Sequence, residues 1–201
     1  MKILVADLEG VFLPEIWANV ALKTGIEELK LTTRDISDYD LLMTKRLSIL
    51  EAHNLTLKDI QEVIATLDPL DGAKEMLDWI RSRAQIIILS DTFEEFAGPL
   101  MSKLGSPALL CHNLTVDSQG KIKDYNLRID NQKTRAVKAL QSLNYEVIAF
   151  GDSYNDTGMI QAADHGFFFK PPESIGVDFP KIPITHSYDE LKSMITRVLE
   201  D

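Results

Sequence analysis

Asp7 and Glu9 stand two residues apart, directly after the apolar run Ile3, Leu4, Val5, Ala6 and before Gly10. Carboxylates at i and i+2 of an extended chain point to the same side. A strand ending in this way sets a nucleophile and a proton donor at one sheet edge, although acids at a solvated strand end give the same pattern. Two further aliphatic runs also end in reactive side chains: Ile86 to Leu89 before Ser90 and Asp91, and Val147 to Phe150 before Gly151 and Asp152. Asp156 follows at the expected start of a helix. Strand-end Asp7 and Asp152, if adjacent, make a hard oxygen site of the kind that binds Mg2+ through one or two carboxylates, waters and a substrate phosphate. Taken singly, Asp152 and Asp156 equally suit a turn and an N-cap, Ser90 a helix cap, and Lys133 a solvated surface. Lys133, with Arg135 as the fallback, is the cation that an anionic ligand needs in a chain of net charge −10.

These residues converge only if the three runs are neighbouring strands. Short β-branched runs separated by helical patterns predict an α/β fold, a doubly wound parallel sheet whose ligands bind at the carboxyl ends of the strands. Pro14 suits the first position of a helix carrying Ile16, Trp17, Val20 and Ala21 and ending near Gly25. Tyr39, Met43, Arg46 and Leu50 predict a second helix. Leu57, Ile60, Val63, Ile64 and Leu67 predict a third, capped by Thr56. Ala73, Met76, Leu77 and Ile80 predict the helix before the second strand. Residues 14–69 thus read as a helical cap inserted into a core of residues 1–13 and 70–201. Later elements are a helix from Glu94 to Leu104 stopped by Gly105, a hairpin over Ala108 to Arg128 around Ser118-Gln119-Gly120, helices over Thr134–Leu143 and Asp156–Ala163, and a final helix with a Ser187/Glu190 capping box.

The 201 residues, 45% hydrophobic, suffice for one domain with an insertion, and the acidic balance of 31 Asp plus Glu against 21 Lys plus Arg excludes nucleic acid and anionic membranes as expected partners. Cys111 is the single cysteine. It admits no intrachain disulfide and, with no leader or membrane segment read in the chain, leads to an expected cytoplasmic location. Cys111 and His112 lack the spacing of a zinc site and read as ordinary sheet residues; Trp17, Trp79 and Met76 read as packing.

Asp-Leu-Glu-Gly at 7–10, Ser90 after a strand, Lys133 and Gly-Asp-Ser-Tyr-Asn-Asp at 151–156 occur in an order that resembles the haloacid dehalogenase-like phosphotransferases. With Pro-Glu-Ile-Trp at 14–17, the likeness is closest to phosphoserine phosphatases, in particular the group that also transfers phosphate to homoserine. The resemblance implies that Asp7 is phosphorylated and that Glu9 protonates the leaving alcohol and deprotonates the acceptor. It implies Mg2+ held by Asp7, the Glu9 carbonyl and Asp152, with Asp156 supporting metal-bound water. Ser90, Asp91, Lys133 and Asn155 would hold phosphate, Glu15 the substrate ammonium and Arg46 its carboxylate. Expected partners are small molecules, phosphoserine and homoserine, and a homodimer is left open. Most of the family has Asp where this chain has Glu9, which suggests that the longer acid admits a small alcohol as well as water. Two alternatives remain at this point: the same chemistry on another small phosphorylated metabolite, and a non-enzymatic phospho-aspartate switch, against which a cap over the site argues.

Overall fold

The computed structural model describes residues 1–32, 35–36 and 38–200. Among them one sheet holds β1 (Lys2–Ala6), β2 (Gln85–Phe93), β3 (Ala108–Val116), β4 (Ile122–Asn126), β5 (Glu146–Gly151), β6 (His165–Phe169) and β7 (Ile184–Thr185). The order across the sheet is β4-β3-β2-β1-β5-β6-β7, parallel throughout except for the β3–β4 hairpin. From β1 the chain winds to β2 and β3 on one side and later to β5, β6 and β7 on the other. The switch point therefore lies between β1 and β5, where Ala6 pairs with Phe150, and this is where such sheets bind ligands.

Alternate residues of these strands feed two separate cores. Leu4, Ala6, Ile148 and Phe150 face one core, and Ile3, Val5, Val147 and Ala149 face the other. Both sides are dry, which is why the runs read as continuously apolar. Fully burying each such aliphatic side chain stabilises by about 1.5–3 kcal/mol, and this anchors strands whose far ends carry charge.

Residues 14–69, expected as a cap, supply α1 (Ile16–Thr24), a 3₁₀ turn (Glu27–Lys30), α2 (Tyr39–Ala52) and α3 (Leu57–Ala65). Ile16, Val20, Met43 and Ile60 from these helices join the first core. Thr56 and Asp59 form the capping box of α3, and Gly25 closes α1 at φ 72°. The later helices are α4 (Ala73–Arg81), α5 (Glu94–Lys103), α6 (Gln132–Ser142), α7 (Thr157–Ala162), α8 (Glu173–Asp178) and α9 (Tyr188–Glu200). Among the described residues no helix is long and apolar enough to cross a membrane.

Several boundaries differ from the sequence expectations, each for a local reason. Pro14 precedes α1 instead of opening it, because the Glu9 carboxylate accepts the Ile16 N–H at 2.8 Å and fixes the first turn there. β2 does not stop at Leu89 but runs to Phe93, with a register shift in which four steps along β2 match two along β3. Such a bulge re-aims side chains, here Ser90, Asp91 and Thr92. α6 starts at Gln132, so Lys133 lies in its first turn and not before it. The helix expected over Asp156–Ala163 is present as α7 but starts one residue later, because Asp156 ends a preceding 3₁₀ turn (Tyr154–Asp156) in which it closes a capping box with Ser153. Ser187 Oγ accepts the Glu190 N–H as expected, but the Glu190 carboxylate reaches the His186 N–H.

Candidate active site

Asp7 continues the sheet ladder one residue past β1, its N–H donating to Phe150 O at 3.1 Å. That bond draws it against the end of β5, from which Asp152 emerges. Asp7, Asp152 and Asp156 each bring a carboxylate oxygen within 4.8 Å of the others. Close packing is possible because residue 10 is glycine, at φ 75°; a Cβ there would run into the Asp152 carboxylate. Gly151 is required in the same way by Asp156. The proximity of Asp7 and Glu9 also has a different origin from strand alternation. The chain turns after Asp7, with Phe12 and Leu13 N–H both donating to Leu8 O, and the anchor on Ile16 holds Glu9 at the cavity.

Lys133 threads this cluster. Its ammonium, on a residue only 3% exposed, lies 2.9 Å from Asp7 Oδ1, 2.8 Å from Asp156 Oδ1 and 3.7 Å from Asp91 Oδ2. Arg135, the alternative cation, is exposed. Asp156 is fully buried and committed: Oδ1 takes Lys133, and Oδ2 takes the N–H groups of Asp152 (3.0 Å) and Ser153 (3.1 Å). Asp7 Oδ1 accepts Leu8 N–H at 2.8 Å as well as Lys133, and among the described residues Oδ2 carries no hydrogen bond.

One ammonium against the three clustered carboxylates leaves an excess of two negative charges. The carboxyl groups register it. Burial, then repulsion from Asp156, holds Asp7 well above the usual carboxylate range despite Lys133. Burial, Asp156 and Glu15 push Asp152 up to about 7. Burial lowers Lys133, but Asp156 and Asp7 outweigh it and hold the ammonium well above its ordinary value. An all-oxygen donor set with two surplus charges fits a hard divalent cation such as Mg2+. Asp7 and Asp152 have oxygens to offer it, whereas Asp156 is already spoken for. Glu9 is pushed up to about 7, by burial first and Glu15 second, against the Ile16 N–H, Arg46 and Lys133.

Ser90, 2% exposed, lines the same cavity of about 250 Å³ with Asp7, Glu9 and Asn155. Asp91 lines it too but cannot hold phosphate through its side chain. Burial would raise its pKa, yet Lys133, His112, Gln132 and Asn155 hold it well below the usual range, so it stays an anion. Any phosphate contact at this position falls to its backbone N–H. Asn155 Nδ2 donates to Asp91 Oδ2 at 3.2 Å. From the segment expected as a cap, Glu15 and Arg46 line the cavity as expected, joined by Trp17 and Tyr39. Trp17 does pack, edge-on against Phe96, but its ring also lies 4.6 Å under the Arg46 guanidinium. Tyr39 OH donates to Asp91 O at 3.3 Å; its position seven residues before Arg46 was the available signal. His112 is not the ordinary sheet residue expected: it is buried, 3.6 Å from Asp91 Oδ1. No spacing rule links it to Asp91, because β3 reaches it only through the register shift.

The switch-point pocket thus sets a carboxylate oxygen with no hydrogen bond among the described residues and a buried lysine beside a carboxylate cluster that could hold a divalent cation, the groups a phosphoryl-transfer hydrolase needs. The family profile described as "Hydrolase: haloacid dehalogenase-like hydrolase" matches residues 1–164, and the chain belongs to that family. It is 55% identical over 192 residues to "Phosphoserine phosphatase ThrH" of Pseudomonas aeruginosa, covering 96% of this chain and 94% of that protein. It is 54% identical to a "Phosphoserine phosphatase" of Pseudomonas syringae pv. tomato, covering 96% and 81% respectively. A solved structure named "Phospho-Aspartyl Intermediate Analogue of Phosphoserine phosphatase" superposes with TM-score 0.76 at 20% identity, over 96% of this chain and 98% of that one, a likeness of fold. The family resemblance and fold class read from the motifs are borne out, as is the expectation of an enzyme.

Proton linkage gives a direct check of the cation site. Asp152 must lose its proton to bind metal, so with its pKa near 7 the affinity for Mg2+ should rise by up to about tenfold per pH unit from about pH 5.5, flattening as the pH passes about 7. Calorimetric titration across that range measures it, and an affinity independent of pH would contradict this account of the carboxylates.

Proposed function

We propose that this enzyme is a Mg2+-dependent phosphatase that hydrolyses phosphoserine to serine and phosphate through a phosphorylated Asp7, and that it also passes the phosphoryl group to homoserine. The observation that carries the substrate is Arg46. It is 7% exposed on α2, its Nη2 donates to Leu31 O at 2.8 Å and its Nη1 meets Met43 Sδ at 3.7 Å, while the buried Nε has no hydrogen-bond partner among the described residues. A buried donor left unsatisfied costs about 1–3 kcal/mol, more for a charged group. Burial lowers the pKa of Arg46 to about 10, so it remains a cation at neutral pH. A carboxylate bound in the cavity would satisfy both the donor and the charge, and Glu15 on the same wall suits the ammonium of an amino acid. The two relatives named phosphoserine phosphatase support the same choice.

The chain's own groups account for the chemistry. Asp7 attacks phosphorus as the bond to the serine oxygen breaks, and the leaving oxygen takes the proton of Glu9. In the second half-reaction water, or the homoserine hydroxyl, gives its proton to Glu9 and its oxygen to phosphorus, and Asp7 leaves as a carboxylate. A Glu9 pKa near 7 suits a group that must donate and then accept at neutral pH. Lys133 and the Ser90 hydroxyl stabilise charge on the phosphoryl oxygens. Held by Asp7, Asp152 and the Glu9 carbonyl, with Asp156 behind it, Mg2+ would neutralise charge on the transferring group. Helices α1 to α3 act as the cap that excludes bulk water. The buried free thiol of Cys111 accords with a cytoplasmic enzyme.

Arg46→Ala should raise KM for phosphoserine about 10- to 100-fold and leave turnover of p-nitrophenyl phosphate, which has no carboxylate, within about threefold. A normal KM for phosphoserine would remove Arg46 from the site. Glu9→Asp should lower the ratio of transfer to hydrolysis in the presence of homoserine, measured as phosphohomoserine against free phosphate; an unchanged ratio would detach the longer acid from acceptor choice.

A further inference from the structure

The bulge of β2 that carries Ser90 and Asp91 takes four residue steps where its neighbour takes two, so its polar groups need partners outside the ladder. One amide supplies them. Gln132, 2% exposed, opens α6 immediately before Lys133. Its Nε2 donates to Ser90 O at 2.5 Å and to Asp91 Oδ1 at 3.1 Å, while its Oε1 accepts from the Arg128 guanidinium at 3.0 Å. Both ends of the amide are used, which fixes its orientation. His112 Nδ1 accepts the Arg128 N–H at 3.1 Å, so the ring hydrogen sits on Nε2. That nitrogen faces Asp91 Oδ1 at 3.6 Å and lies 3.2 Å from the Gln132 amide nitrogen. Asp91 in turn lies 3.7 Å from Lys133 and binds Asn155.

Resting on the phosphatase reading above, we propose that Gln132 and His112 are positioning residues. The Gln132 amide sets how far Ser90 stands from Lys133, two groups from different elements that must meet the same phosphoryl group, and His112 orients the Asp91 carboxylate that steadies Lys133 and Asn155. Neither touches substrate. Their effect falls on the transition state, where a misplacement of about 1 Å costs on the order of 100-fold, and spares the amino-acid end of the ligand, which belongs to Arg46 and Glu15.

The test is kcat and KM for phosphoserine, with the inhibition constant of orthovanadate, at saturating Mg2+ for the wild type, Gln132→Met, His112→Phe and His112→Gln. Gln132→Met should lower kcat about 10- to 100-fold with KM within about threefold, and vanadate affinity should fall with kcat. His112→Gln keeps an N–H donor near Asp91 and should recover most of the activity lost in His112→Phe. A kcat within twofold of wild type in Gln132→Met, or equal kcat in the two His112 variants, overturns the proposal; the His112 pair decides it if Gln132→Met fails to fold. A wild type that does not turn over phosphoserine overturns the substrate reading instead, and the same comparison is then read with p-nitrophenyl phosphate.

Discussion

A lysine ammonium withdrawn from solvent stands 2.8 Å from one buried carboxylate, Asp156, and 2.9 Å from another, Asp7. At an effective dielectric near 20, each contact contributes on the order of 5 kcal/mol of Coulomb attraction. That is comparable with the several kcal/mol that removing each ion from water costs. The cluster therefore persists only while every member has its partners, and the fold is arranged to supply them. β1 brings Asp7, β5 and its capping turn bring Asp156, and the first turn of α6 brings Lys133. None of these segments is adjacent in sequence. The surplus negative charge that remains, borne chiefly by Asp152 and the outer oxygen of Asp7, is what a divalent ion would neutralise before an anionic phosphate enters.

The same economy of contacts ties the segment over the site to the acid beneath it. Glu9 has two duties in this geometry: its carboxylate receives the first free N–H of α1, and it faces the cavity. A helix N-terminus favours the carboxylate form, while burial and Glu15 favour the neutral one. The balance leaves the group near neutrality. Moving α1 would alter that balance, so the position of α1 and the proton affinity of the acid are linked through one hydrogen bond.

How much of this was legible beforehand depended on the range of the interaction. The three strands and their order of chemistry were plain from apolar runs ending at Asp7, Ser90 and Asp152, because two-sided burial leaves an uninterrupted pattern. Thr56 and Gly25 were readable because capping is decided within a few residues. The extension of β2 to Phe93 was not, since its bulge depends on pairing with β3, and the start of α6 at Gln132 was missed because Asn131 caps it in a left-handed conformation at φ 49°. Arg46 stood out as a charge on an apolar helix line. His112 and Gln132 did not: their partner, Asp91, is reached across three elements, and no local spacing records that.

The proposed chemistry requires that Asp7, and no other side chain of the cluster, carries the phosphoryl group. Rapid quenching of the enzyme with 32P-phosphoserine and Mg2+, followed by borohydride reduction and peptide mass analysis, reads the attachment point directly. The expected result is reductive conversion of Asp7 to homoserine, dependent on substrate and absent in Asp7→Asn. Label on Ser90 or Asp152, or turnover with no trapped acyl phosphate and undiminished activity in Asp7→Asn, would contradict it.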